Sequence, residues 1–256
     1  VRERQTFTLR EGRAHLPADN MHYRPLNELV HAAVARGATH LRVSGVNGQR
    51  YLADGLRGDL ALEIEGVPGN DLAAFMDGPS VEVFGNAQDG IGNTMNSGLV
   101  VVHGSAGDVI GYGMRGGTIL IRDHAGYRVG IHMKEYAGSR PTIVVGGRAG
   151  AFLGEYMAGG LIVVLGLGAG DRPLVGDFCG TGMHGGTIAV RGRLEEAHVS
   201  PHVRVSEATD EDRALLAPQL EAYAERFEVP LALLEDERYW MLRPASNRPY
   251  GNKYAI

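Results

Sequence analysis

The stretch G-N-T-M-N-S-G-L-V-V-V-H-G, residues 92–104, decides the fold because the chain keeps restating it. Met76, Met95, Met114 and Met133 are each 19 residues apart, and Met157 and Met183 follow at spacings of 24 and 26. The two longer spacings correspond to insertions of five and seven residues. Three residues before the methionine stand Gly92, Gly111, Gly130, Gly154 and Gly180, with Ala73 in that place before Met76. Three residues after it stand Gly98, Gly117, Gly160 and Gly186. Apolar pairs then alternate: Val81/Val83, Val100/Val102, Ile119/Ile121, Ile143/Val145, Ile162/Val164 and Ile188/Val190. Leu56, in L-R-G-D-L-A-L-E-I, occupies the methionine slot of a degraded seventh unit.

Nineteen residues are too few for a pair of helices, and about five glycines per unit oppose helix by roughly 1 kcal/mol each. The period-two pairs specify strands. Short strands joined by glycine corners, each coil stacked about 4.8 Å from the next, satisfy both constraints. The expected fold is therefore mainly β, a right-handed parallel β-helix of 19-residue coils. Each interior column stacks on itself and so demands like residues. Methionine suits such a slot because it is unbranched and fills irregular gaps.

Working outward, 28 of the 38 glycines fall between Gly85 and Gly192. This divides the 256 residues into an N-terminal α/β cap (1–65), a glycine-rich body (66–193) and a charged C-terminal cap and tail (194–256). In the first part, Leu26, Leu29, Val30, Ala33 and Val34 repeat at helical spacing between Pro25 and Gly37. Leu41 and Val43 alternate as a strand, and V-N-G-Q-R-Y reads as a turn and a short strand. In the last part, T-D-E-D at Thr209 resembles a helix start with a capping box. Pro218 is expected to kink or restart that helix, whose apolar stripe is Leu220, Tyr223 and Phe227. The tail from Arg243 is expected to lie across another surface. Solenoid ends are strand edges that need cover, and the two flanking segments are the expected caps.

Composition limits the function. Glycine keeps no third-residue period and there are only 11 prolines, which excludes collagen, while 44% hydrophobic residues exclude wholesale disorder. A formal charge of −5 offers no electrostatic footprint for nucleic acid. One cysteine, Cys179, cannot form an internal disulfide, a cysteine-based zinc site or an iron–sulfur cluster. The start V-R-E-R-Q-T-F-T has no secretory h-region, and the apolar run Leu161 to Leu165 is far below the ~20 residues a bilayer needs. A cytoplasmic chain is expected.

Two stretches match G-x-G-x-x-G, Gly111 to Gly116 and Gly180 to Gly185, but strands rather than helices are expected after both. They read as corners. Asp89, Asp108 and Asp177 share one column. Stacked acids suit cation binding or the acid/base work of a carbohydrate-active β-helix, or else they hydrogen-bond corner amides. His132 and His184 flank column methionines on opposite sides, without metal spacing, and Cys179 sits in the apolar column of Ile91, Ile110, Val129 and Leu153. The insertions, 134–141 and 167–175, add loops that a regular coil does not need. Lys134, Glu135, Tyr136, Arg140, Asp171 and Arg172 are the candidate partner-binding residues.

G-E-Y-M-A-G-G-L-I-V-V-L-G, residues 154–166, closely resembles a segment of the C-terminal β-helix domain of the glutamate synthase large subunit, the GXGXG domain. Residues 92–104 and 180–192 look like further coils of it, and a β-helical subunit of formylmethanofuran dehydrogenase is similar in the repeats. The flanks look like a free-standing version of the domain. The resemblance implies a part in glutamate biosynthesis and nitrogen assimilation, in which ammonia from glutamine is added to 2-oxoglutarate and the product reduced. In that enzyme an N-terminal cysteine is the glutaminase nucleophile, and other domains carry FMN and iron–sulfur clusters. Here the chain starts with valine and its one cysteine falls within a coil. The implication is thus a non-catalytic scaffold with no cofactor, metal or catalytic residue of its own. Its partners would be an FMN-binding synthase subunit and a glutaminase subunit, with homo-oligomerisation left open. A scaffold in a C1-transferring complex and a carbohydrate-active enzyme are the alternatives.

Overall fold

A computed structural model describes residues 7–246. In chain order the elements are β1 (Arg13–Pro17), α1 (Tyr23–Ala35), β2 (His40–Asn47), β3 (Ala61–Val67), β4 (Asp77–Phe84), β5 (Ser97–Val102), β6 (Thr118–Ile121), β7 (Thr142–Val145), β8 (Ala158–Val164), β9 (Gly185–Arg191), β10 (Val203–Glu207), α2 (Asp210–Phe227), α3 (Leu231–Glu235) and β11 (Tyr239–Pro244). Among the described residues, all eleven strands form one sheet. Its order is β1 to β9 in sequence, then β11 and β10. Strands β1 to β9 pair in parallel, and β11 joins β9 and β10 antiparallel. The fold is a parallel β-solenoid, as the repeat predicts.

Register follows the sequence columns. Val81, Val100, Ile119, Ile143, Ile162 and Ile188 pair in succession, and so do Val83, Val102, Ile121, Val145, Val164 and Val190. All twelve are fully buried, with the six methionines and the column from Ile91 to Cys179 in one core. Leu56 joins that core, and the bridge Arg57↔Asp77 places it directly before Met76, so the degraded seventh unit is a coil. A second side of each coil is drawn in by single bridges between small residues, Ala87↔Ala106 and Ala125↔Ala149. The third side is a ribbon in which every second residue is left-handed, for example Arg128, Gly130 and His132 at φ 57°, 72° and 56°.

The corner glycines carry two constraints at once. From Gly92 to Gly180 the column has φ between 66° and 73°, a conformation that costs an L-residue about 1–2 kcal/mol. A Cβ there would also lie 2.4–2.6 Å from a side-chain methyl, that of Ile119, Ile143, Ile162 or Ile188 on the inward side of the following coil or, for Gly180, that of Val203 in β10. The two exceptions in the column, Ala53 and Ala73, keep the left-handed backbone at φ 62° and 58°. In register they face Val81 and Val100, which lack the isoleucine Cδ1.

Both ends and one flank depart from the bare repeat. At the N-terminal end, α1 turns Leu26, Val30 and Ala33 into the coil core beside Leu16 and Leu41. The expected short strand in V-N-G-Q-R-Y is absent. The chain bends at Gly48, and the buried Gln49 amide donates to the Ala18 and Met21 carbonyls at 3.1 and 3.0 Å. At the other end, β11 and β10 continue the sheet, so the apolar Y-W-M-L before the tail is strand, and Arg243 and Pro244 belong to it. The rest of the tail, from residue 247, lies outside the described residues.

Helix α2 begins at Thr209, where the capping box with Asp212 is present. It runs unbroken through Pro218 to Phe227. The lost hydrogen bond and steric clash at an interior proline cost about 3 kcal/mol. Burial of Leu216, Leu220 and Tyr223 on either side of it offsets that cost. The helix does not sit over the open end. It lies along the outer face of the sheet, against Val101, Leu120, Val144, Leu161, Val163 and Ala189.

Candidate interaction surface

The two G-x-G-x-x-G matches are followed by β6 and β9, so neither offers the helix N-terminus that a pyrophosphate needs. Both are coil corners. The aspartate column is spent on the coils themselves. Asp89 Oδ1 accepts the Asp108 N–H at 2.9 Å, and Asp108 Oδ1 accepts the Tyr127 N–H at 2.8 Å. Each carboxylate thus terminates a corner of the following coil instead of facing its neighbour as an acid/base pair. Asp177, the third of the column, meets His198 at 2.5 Å.

Cys179 is completely buried, and desolvation pushes its thiol up to about 12, away from thiolate chemistry. His132 and His184 are exposed and serve separately. The first stacks on Tyr156 and the second faces the Gly182 carbonyl at 3.3 Å. Among the described residues no three His, Cys, Asp or Glu side chains converge as a metal site, and no helix is long and apolar enough to cross a membrane.

The two insertions sit at opposite ends of the strand side, one leading into β7 and the other leaving β8. The first is a tight hairpin. Tyr136 and Ser139 exchange backbone hydrogen bonds of 3.2 and 2.9 Å, leaving the Tyr136 ring 63% exposed. Below it, Glu135 Oε1 accepts from Arg140 at 3.1 Å and from the Gly160 N–H at 3.3 Å, tying the hairpin to the next coil. Lys134 donates its backbone N–H to the Met114 carbonyl at 3.0 Å. The second insertion folds on itself. Arg172 Nε reaches the Ala169 carbonyl at 3.4 Å, and Arg148 Nε holds the Pro173 carbonyl at 2.6 Å. Asp171 and Arg172 line a shallow pocket of about 200 Å³ with Arg191 and Glu195.

Both insertions also flank α2. Glu135 and Arg140 share a pocket with Leu215 of the helix, and Leu167 packs on the apolar cluster beneath it. Both insertions thus border the chain's own helix. All six residues of the set are nonetheless exposed, Tyr136 among them on the hairpin.

One surface has no counterpart among the sequence-based expectations. On the left-handed ribbon, solvent-facing side chains stack from coil to coil. Tyr112 meets His132 edge-on at 5.8 Å, and His132 stacks on Tyr156 at 5.4 Å with 10° between the rings. Beside them, the Arg128 guanidinium lies 4.7 Å above Phe152, which stacks on Phe178 at 5.0 Å. Glu155 fixes Arg128 at 3.0 Å. Phe178 is 58% exposed and Tyr112 42%. The chain does carry a signal for it: His132 and Tyr156 each directly precede a column methionine, and Arg128, Phe152 and Phe178 each stand five residues before one. Such a concentration of exposed rings on one side is the composition expected of a surface that meets another macromolecule.

Comparison with known proteins agrees with this architecture. An uncharacterised protein of Methanocaldococcus jannaschii is 45% identical over 248 residues, 93% of this chain and 95% of that one. Ferredoxin-dependent glutamate synthase 2 of Synechocystis is 34% identical over 153 residues, which are 57% of this chain but 9% of that enzyme. Among solved structures, a chain of the formyltransferase/hydrolase complex of Methylorubrum extorquens, in complex with methylofuran, superposes with a TM-score of 0.60 at 21% identity. The superposition covers 88% of this chain and 89% of that one. The model of the GXGXG motif matches residues 30–242, from α1 through every coil to β11, and the chain belongs to that family.

Proposed function

We propose that this chain is a non-catalytic scaffold subunit of a glutamate-synthase-type complex, holding an FMN-binding synthase subunit and a glutaminase subunit in fixed relation. The observation that carries the reading is the likeness of its coils to one segment of a ferredoxin-dependent glutamate synthase. The synthase's segment is a small fraction of an enzyme whose chemistry needs other domains. Physically, the solenoid suits the role. Its coils are locked by backbone pairing on the strand side and by corner hydrogen bonds, so groups displayed on different coils keep their spacing. The exposed ring stacks and the Tyr136 hairpin supply the anchors, since buried aromatics dominate the energy of protein interfaces. FMN and iron–sulfur clusters belong in the partners; one cysteine falls short of the four thiolates that a cluster takes.

Affinity purification of the tagged chain from its native cell, followed by identification of the captured subunits, tests the proposal. An FMN-containing synthase subunit and a glutaminase should co-purify, and the isolated chain should be colourless and inactive. Stoichiometric flavin in the isolated chain, or glutamine hydrolysis by it alone, would sink the idea. A second reading is the same role in a C1-transferring complex. The near-complete mutual coverage with a chain of the formyltransferase/hydrolase complex favours it. Capture of formyltransferase or hydrolase subunits instead would select that reading.

A further inference from the structure

The last coil is closed by a segment that lacks the repeat signature, residues 194–202. It lies on the solenoid by the bridge Cys179↔Val199, with the Cys179 N–H donating to the His198 carbonyl at 2.9 Å and the Ser200 N–H donating to the Cys179 carbonyl at 2.8 Å. The imidazole of His198 adds a side-chain attachment to the preceding coil. The ring is 24% exposed and set between two carboxylates: Nδ1 is 2.5 Å from Asp177 Oδ1, and Nε2 is 3.2 Å from Glu195 Oε2. Asp177 comes from the preceding coil and Glu195 from the turn that opens the segment. The latter is shared with Arg193 at 3.0 Å.

An ionised carboxylate only accepts hydrogen bonds, and a neutral imidazole has a single N–H. The arrangement is satisfied only when both ring nitrogens donate, that is, by the imidazolium. Loss of that proton leaves one nitrogen lone pair facing a carboxylate oxygen, which turns one attraction into a repulsion.

We propose that His198 is a pH-sensitive latch: as the imidazolium it fastens the closing segment to the preceding coil, and its deprotonation loosens residues 194–202 and opens the route to the interior below them. The direction follows from linkage. The hydrogen bond to Asp177, reinforced by Glu195, raises the folded-state value above the ordinary 6.5. The stabilisation is therefore complete below about pH 6.5 and disappears as pH rises through the raised value. The latch is closed in mild acid and opens towards alkaline pH.

Cys179, the chain's one cysteine, is buried beneath this segment and reports its opening. The test measures maleimide labelling of Cys179 between pH 5.5 and 9, dividing each rate by that of an unfolded cysteine peptide at the same pH to remove thiol ionisation. The normalised rate should rise by up to about fivefold through one titration, the ceiling for a partly exposed ion pair. His198→Gln should label at the faster rate at every pH. Asp177→Asn should shift the midpoint towards the ordinary histidine value. A histidine NMR titration of the unaltered protein provides the same midpoint should the His198 variant not fold. A normalised rate that is flat with pH, or a labelling midpoint that differs from the His198 titration, overturns the proposal.

Discussion

Replacing Gly130 by alanine tests the packing logic of the whole solenoid. At φ 72° the new side chain must adopt the left-handed conformation, which costs about 1–2 kcal/mol. Its Cβ would lie 2.4 Å from Ile162 Cδ1, 3.3 Å from Ile162 Cγ1 and 3.7 Å from Met133 Cε. The first distance is a full collision in a core whose neighbouring coils fix the isoleucine. Overpacking of this kind costs about 1–3 kcal/mol. Gly130→Ala should therefore destabilise the protein by about 2–5 kcal/mol, measured by denaturant unfolding. Ile162→Val removes the colliding methyl and alone should cost about 0.5–1.5 kcal/mol. Together the two changes recreate the Ala73/Val100 pairing that the chain already uses. The double variant should then be more stable than the sum of the single effects by about 1–2 kcal/mol. Free energies that add to within about 0.5 kcal/mol, as for sites that do not touch, would refute the reasoning that isoleucine dictates the glycine.

Other expectations follow from single contacts. Thr209→Ala removes the helix cap of α2 and should cost about 1 kcal/mol, seen as a lower unfolding midpoint. Burial raises the Asp212 carboxyl, but hydrogen bonds from the Thr209 backbone and from Arg243 outweigh it, and the net value is lowered. Its contribution is thus present above the ordinary carboxylate range and is lost as pH falls through the lowered value, so Asp212→Asn should flatten the acid limb of a stability-versus-pH curve. Tyr223→Phe deletes the 2.8 Å hydrogen bond from the phenol to the Arg122 carbonyl and should cost about 1–2 kcal/mol, read by thermal unfolding. Tyr156→Ala should leave the fold intact by circular dichroism while reducing the yield of captured partner subunits. Unchanged capture would remove the ring stack from the interaction surface.

The repeat was legible because stacking turns geometry into sequence: each coil places its methionine over the last, so an unlike residue would leave a gap or a clash. The same logic covers the apolar pairs and the corner glycines. What lay between them was less visible. The central residue of each strand faces outward, and it changes from Glu63 and Glu82 to Val101, Leu120, Val144, Val163 and Ala189. That change marks where the outer face becomes covered, and it predicts a flanking element rather than an end cap. The left-handed ribbon was hidden because Arg128, Phe152 and Phe178 disfavour positive φ, and only bonding to adjacent coils holds them there. Strands β1, β10 and β11 belong to the sheet without sharing its repeat: β1 and β10 are edge rungs with a neighbour on one side only, and β11 pairs antiparallel, outside the parallel stack of coils. Of the interaction surface, the insertions announced themselves by spacing, whereas the His198 attachment did not. It depends on a closing segment with no periodicity of its own.

The placement of α2 bears on how the molecule comes apart. A bare solenoid is a one-dimensional array in which each coil feels only its neighbours, so it can fray from either end. Eighteen residues of helix span about 27 Å, and five strand-to-strand steps span about 24 Å. Leu216 lies beside Tyr239 of β11, while Phe227 meets His103 just beyond β5 at 5.3 Å; the helix rises about 17 Å between these two residues, and their side chains reach the strands at either end. It acts as a splint. Detaching it exposes the outer face of every strand from β5 to β9 at once, which makes their melting a single cooperative event while the coils before β4 remain free to unravel singly.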